Sequence, residues 1–235
     1  MNKIKGEGEM VKPIISSVFA CLAAGSLNVN SATYINNAID QGWYTSSGSS
    51  SGGNTSYIIG ELNGEIYRNW FAFDLSGINL LAGESIISAS LTVVKGSYFG
   101  DDHEDWALTS IESNVSDLIN GTGTGLTIFE DLADGSAYGA ATLTAAGGID
   151  LLINVNLTGA NAITDIDSSL GGLFAIGGYL STIDSANQEV LFSGTGGLDF
   201  FKSVLTIETT IVPVPAAVWL FSSGLIGLIG IARRK

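Results

Sequence analysis

A mainly β fold is what this sequence of 235 residues predicts: an antiparallel β-sandwich with one or two short helices, plus a C-terminal transmembrane helix. Three observations lead there. Short runs of alternating apolar and polar residues recur along the chain, the pattern of strands with one face buried. Gly-rich turns separate them, supplied from 31 glycines, and none of the three prolines falls between residues 33 and 210 to interrupt a strand. The third is the uncharged apolar run Ala216–Ala232, closed by Arg233-Arg234-Lys235.

Residues 1–32 read as a secretory signal peptide. Pro13 to Gly25 is largely apolar, Lys12 precedes it, and small polar residues follow up to Ala32. Met1–Glu9 carries two Glu and suits a positively charged leader poorly, so Met10 is a candidate start; cleavage is expected after Ala32 rather than after Gly25. The single cysteine, Cys21, then leaves with the leader, and the body has neither disulfide nor thiol chemistry.

The body, residues 33–210, is long enough for one sizeable core. Three cations (Arg68, Lys95 and Lys202) stand against 21 Asp and Glu, a formal charge of −18. Nucleic-acid binding needs the opposite sign and is excluded. Acidic polysaccharide is repelled too, unless a divalent cation bridges the charges. Taken in order, strand-like sequence begins at Thr33-Tyr34-Ile35, and Thr45–Thr55 is a Ser/Gly-rich stretch expected to be a mobile loop. Strands are expected at Ser56–Gly60, through Asn69, Phe71, Phe73 and Leu75 on one face with Trp70, Ala72 and Asp74 on the other, and through Ile87, Ala89, Leu91 and Val93 alternating with Ser88, Ser90 and Thr92. Further strands are expected at Trp106–Glu112, Leu126–Asp131, Ala141–Thr144, Ile149–Leu157, Leu173–Gly178, Glu189–Phe192 and Ser203–Thr209. Phe71, Phe73, Leu91 and Val93 should point inward. Asn114–Ile119 and Thr158–Leu170 read as helical, the second with Thr158 as N-cap and Gly171-Gly172 as stop.

Catalytic constellations are sparse. His103 is the one histidine, and a one-histidine transition-metal site lacks nitrogen and sulfur partners. Among 21 carboxylates a glycosidase-like pair arises by chance, so the body is read as non-enzymatic. Asp101, Asp102, Glu104 and Asp105 are better suited to a hard cation, and Ca2+ is the one cofactor they suggest, although the full EF-hand spacing is missing. The plainer reading of that run is a solvated acidic loop. Trp43, Tyr44, Tyr98 and Trp106 are candidate sugar-stacking faces, or simply core. Arg68 is expected in a structural ion pair with Asp74 or another carboxylate.

The tail carries the clearest motif. Ala216–Ala232 has 17 residues, which as a helix cover roughly 25 Å, just short of a ~30 Å hydrocarbon core. Ile211 and Val212, or local thinning, make up the difference. Arg233, Arg234 and Lys235 belong on the cytoplasmic side. With Val212, Pro213, Val214, Pro215, Ala216 and Ala217 leading into the span, residues 211–235 resemble a PEP-CTERM sorting tail, with Val214 where the name-giving motif has Glu. That resemblance implies an exported protein of a Gram-negative bacterium, held briefly in the inner membrane, processed by exosortase and passed to the cell surface or the extracellular polysaccharide layer. A second segment, Tyr67–Ser76 with Ile86–Val93, resembles part of jelly-roll domains similar to carbohydrate-binding modules. The expected function is therefore a surface or matrix protein, with a Ca2+-assisted carbohydrate-binding module as the alternative and a glycan-active hydrolase behind both.

Overall fold

A computed structural model describes residues 31–51, 56–146, 148, 151–184, 188–192 and 202–211. The leader up to residue 30 and the tail from Val212 to Lys235, with its sorting motif, apolar run and terminal cations, lie outside the described residues. Among those described, no helix is long and apolar enough to cross a membrane. In chain order the elements are β1 (Ser31–Thr45), β2 (Ile59–Leu62), β3 (Glu65–Asp74), β4 (Glu84–Val94), β5 (Tyr98–Phe99), β6 (Glu104–Thr109), α1 (Val115–Asn120), α2 (Gly125–Asp134), β7 (Ala137–Leu143), β8 (Leu152–Asn156), α3 (Ala162–Ser168), β9 (Leu173–Leu180), β10 (Glu189–Leu191) and β11 (Val204–Ile211). The fold is mainly antiparallel β with a few short helices, as expected.

The long first strand belongs to two sheets. Ser31–Asn37 pairs with β11, which continues to β4 and then β8. Ala38–Thr45 pairs with β3 instead, with a register shift between Ala38 and Asp40. Such an irregularity bends a strand and lets it turn from one sheet into the other. Buried Gln41 holds the corner, its Oε1 accepting from Ser203 Oγ at 2.9 Å, while Ala38 N donates to Ser203 O at 2.8 Å. The far edge of β3 is split. Its first half pairs with β2, which leads to β10 and β5; its second half pairs with β9, which leads to β6 and β7.

The main core lies where both sheets contribute: Phe71 and Phe73 of β3, Leu91 and Val93 of β4, Leu205 and Ile207 of β11, Trp106 and Leu108 of β6. The four inward positions expected from alternation are all buried. Along β4 the alternation breaks at its start. Ile86 is buried and Ile87 is 54% exposed, the reverse of the expected phase. Glu208 pairs with Ser88 and Thr209 with Ile86, so Ile87 is the extra residue of a bulge that exchanges faces.

The outer face of β3 carries a second apolar cluster, Trp70 and Ala72 beneath Leu118, Ile128, Phe129 and Leu132. These come from α1 and α2, so Leu126–Asp131 is helix where a strand was expected. Thr127-Ile128-Phe129 is β-prone in isolation, yet Ile128, Phe129 and Leu132 form the one-sided patch of a helix, and the exposed apolar face of β3 and β9 provides what it covers. Asp131 of α2 is buried and accepts from Glu112 N at 2.9 Å and Ser113 N at 2.7 Å, fixing the chain that follows β6. α1 agrees with expectation, capped by Asn114 accepting from Ser116 N. α3 starts later than expected, with Asn161 and not Thr158 at its N-cap. The segment between them is tied to β7 instead, Gly159 N donating to Tyr138 O at 2.8 Å.

Candidate functional site: an acidic cluster at one end of the second sheet

β5 and β6 are joined by a turn that carries Gly100 to His103, and β9 runs through Ser181–Asp184 towards β10. Sheet pairing brings these two connections together. Phe99 opposes Val190 across β5 and β10, and Trp106 opposes Leu180 across β6 and β9. Asp101, Asp184 and Glu189 therefore meet, each with a carboxylate oxygen within 4.8 Å of the others. Asp101 and Asp184 are exposed, whereas Glu189 is 1% exposed.

Glu104 organises the same corner. It is buried, its Oε1 accepts from Asp101 N at 3.2 Å, and its Oε2 accepts from the Thr182 hydroxyl. One carboxylate thus holds both connections. Tyr98 fixes Asp101 from the other side, its hydroxyl donating to Asp101 O at 2.7 Å. Glu189 is less well served: Asp184 N lies 3.5 Å from Oε1, and Oε2 is buried without a hydrogen-bond partner. Burial first, and then the neighbouring charge of Glu104, push the Glu189 carboxyl up to about 7. The corner crowds like charges where water cannot fully separate them.

Of the four acids read from the sequence as a cation-binding run, Asp101 joins this cluster and Glu104 supports it. Asp102 is exposed in the turn, and Asp105 is directed elsewhere, its Oδ1 accepting from the Thr142 hydroxyl. Consecutive strand residues face opposite ways, which separates Glu104 from Asp105. Asp184 and Glu189 carried no local signal of a site. They lie more than 80 residues from Asp101 and reach it only through strand pairing. Beside the cluster, residues 100–104, 144–146 and Thr182 line an open depression of 910 Å³ that also presents His103.

The four candidate aromatics separate into two pairs. Trp106 is fully buried, 4.9 Å from the Phe192 ring and 6.1 Å from Phe71, and Tyr44 is buried beneath the helices. Neither offers a face to a sugar. Trp43 and Tyr98 are half-exposed; Trp43 packs edge-on against Tyr67 at 5.0 Å. Arg68 reaches α2 rather than Asp74. Its Nη1 donates to Phe129 O at 2.7 Å and Glu130 O at 3.2 Å, and the guanidinium lies 4.0 Å from the Phe129 ring centroid. Burial lowers its pKa while Asp134, Tyr179 and Glu130 act in the other direction. Lys95 is buried, donates to Ala146 O at 2.7 Å and faces the Tyr98 ring.

No family model matches the chain. No curated protein matches it. Among solved structures it is similar to a chain from the cryo-EM structure of Mud crab tombus-like virus, at 8% identity and a TM-score of 0.28 over 94% of this chain and 97% of that one. A likeness so weak carries no argument.

Proposed function

We propose that this is an exported surface or extracellular-matrix protein, sorted by its tail, processed by an exosortase, and non-enzymatic in a jelly-roll-like β-sandwich body. The observation that carries this reading is where the tail begins. Ile211 in β11 still pairs with Glu84, and the Pro-containing motif starts at the next residue of the sequence, Val212. Thr33, the residue after the expected leader cleavage, pairs with Glu208, so the mature N-terminus and the start of the tail lie at the same end of the first sheet. A body whose tail leaves from that end can stand on the membrane while the motif is cut.

The outer face of the first sheet supports a matrix role. Ser90 opposes Thr206 and Asn156, Thr92 opposes Asn154, and Ser88 donates to Glu208 at 2.8 Å. These rows make a broad surface of hydroxyls and amides, suited to many weak hydrogen bonds with hydrated polymer. The carbohydrate-binding alternative rests on half-exposed Trp43 and Tyr98. A glycan array with the purified protein, with and without Ca2+, separates the two. The surface-protein reading predicts no saturable binding to defined sugars. Saturable binding that Trp43→Ala or Tyr98→Ala abolishes would establish the module instead.

A further inference from the structure

We propose that Asp101, Asp184 and Glu189 form a Ca2+ site that clamps the turn after β5 to the connection between β9 and β10. This inference stands apart from the export reading, since it concerns only the folded body. Three acids alone would say little, but Glu189 adds an independent observation. Its side chain is 99% buried and Oε2 has no hydrogen-bond partner, while the carboxylate contributes an oxygen to a cluster whose members lie within 4.8 Å of one another. A buried carboxylate oxygen left without a donor is costly, and a bound cation supplies the missing partner.

The ligand chemistry selects the ion. Ca2+ takes six to eight oxygens at ~2.3–2.6 Å in a flexible geometry, whereas Mg2+ demands a near-ideal octahedron at ~2.0–2.1 Å and keeps several of its waters. Three carboxylates from two separate connections, with oxygens within 4.8 Å of one another, suit the more tolerant ion. Exposed Asp101 and Asp184 leave an entry from solvent, where water completes the shell, and buried Glu189 forms the floor. Glu104 is a positioning residue: its two oxygens are engaged by Asp101 N and Thr182, so it holds the ligands rather than the ion.

The test is thermal unfolding of the full chain in EDTA, millimolar Ca2+ or millimolar Mg2+, with Tb3+ emission excited through tyrosine as a second readout. Ca2+ should raise Tm by on the order of 5 °C, because a ligand bound only by the native state stabilises it. Tb3+ should luminesce at the site, near Tyr98, and Ca2+ should quench that signal by displacement. Glu189→Gln removes a crowded charge, so it should fold normally in EDTA yet lose the Ca2+ response. Asp101→Asn with Asp184→Asn should lose it too, while Asp105→Asn keeps it. An unchanged wild-type Tm in Ca2+, an equal rise in Mg2+, or a full Ca2+ response in Glu189→Gln and the double variant would each overturn the assignment.

Discussion

Replacing Trp106 with alanine should destabilise the body by about 3–5 kcal/mol, the range for emptying a large aromatic site in a packed core. The indole is fully buried between Phe71 and Phe192, and its Nε1 donates to Asn69 Oδ1 at 3.4 Å. Asn69 in turn donates to Tyr57 O at 3.2 Å, and Tyr57 bonds Val94 through its hydroxyl in both directions. Removing the indole therefore opens a cavity and unpairs a buried amide oxygen, and the two losses reinforce each other. Trp106→Phe should cost less, since most of the volume remains. Chemical denaturation with the midpoint and slope both fitted checks this. A Trp106→Ala protein as stable as wild type would mean that the residue is not core and would return it to the candidate sugar contacts.

Gly60→Ala should be nearly as damaging, about 3 kcal/mol or more, for a backbone reason. Gly60 has a φ of +114°, and a Cβ there would stand far inside contact distance of the Glu189 carbonyl oxygen, a main-chain atom that cannot swing away. Gly60 pairs with Val190, so relieving the clash means breaking β2 from β10. Gly64 provides the control: its φ of +82° is also left-handed, but nothing lies within 4 Å of an added Cβ. Gly64→Ala should cost only the ~1 kcal/mol of the strained conformation. Equal losses at both positions would show that φ alone matters and that β10 does not press against β2. Gly60→Ala should also weaken the proposed Ca2+ site, because Glu189 begins β10.

Much of this architecture was legible because strand alternation is a local property. The faces of β3 could be read directly, since Phe71 and Phe73 turn inward while Trp70 and Ala72 turn outward. Reading failed where long-range structure decides. The bulge at Ile87 depends on how β11 pairs, and no residue of β4 announces it. The local pattern of α2 suits a strand as well as a helix, and only the second face of β3 beneath its apolar patch decides between them. The site divides in the same way. The acidic run from Asp101 to Asp105 stood out in the sequence, but Asp184 and Glu189 are ordinary acids until the sheet brings them to Asp101. Aromatic side chains were ambiguous for a related reason: Trp43 and Trp106 read alike, and only packing places one at the surface and one in the core.

On the proposed sorting route the body is released from its tail within Val212–Ala217. On that route a peptidase recognises the motif around Pro213 and Pro215, and each of the three terminal cations contributes ~1 kcal/mol of attraction to an anionic leaflet. Pro213→Ala with Pro215→Ala should therefore leave insertion intact and accumulate an uncut precursor. Mass spectrometry of the C-terminal peptide from surface-delivered protein is the direct measurement. The proposed route predicts a mature end within Val212–Ala217, directly after Ile211, which pairs with Glu84. Intact peptide through Lys235 recovered from that mature, surface-delivered protein would contradict it and leave a plain membrane anchor.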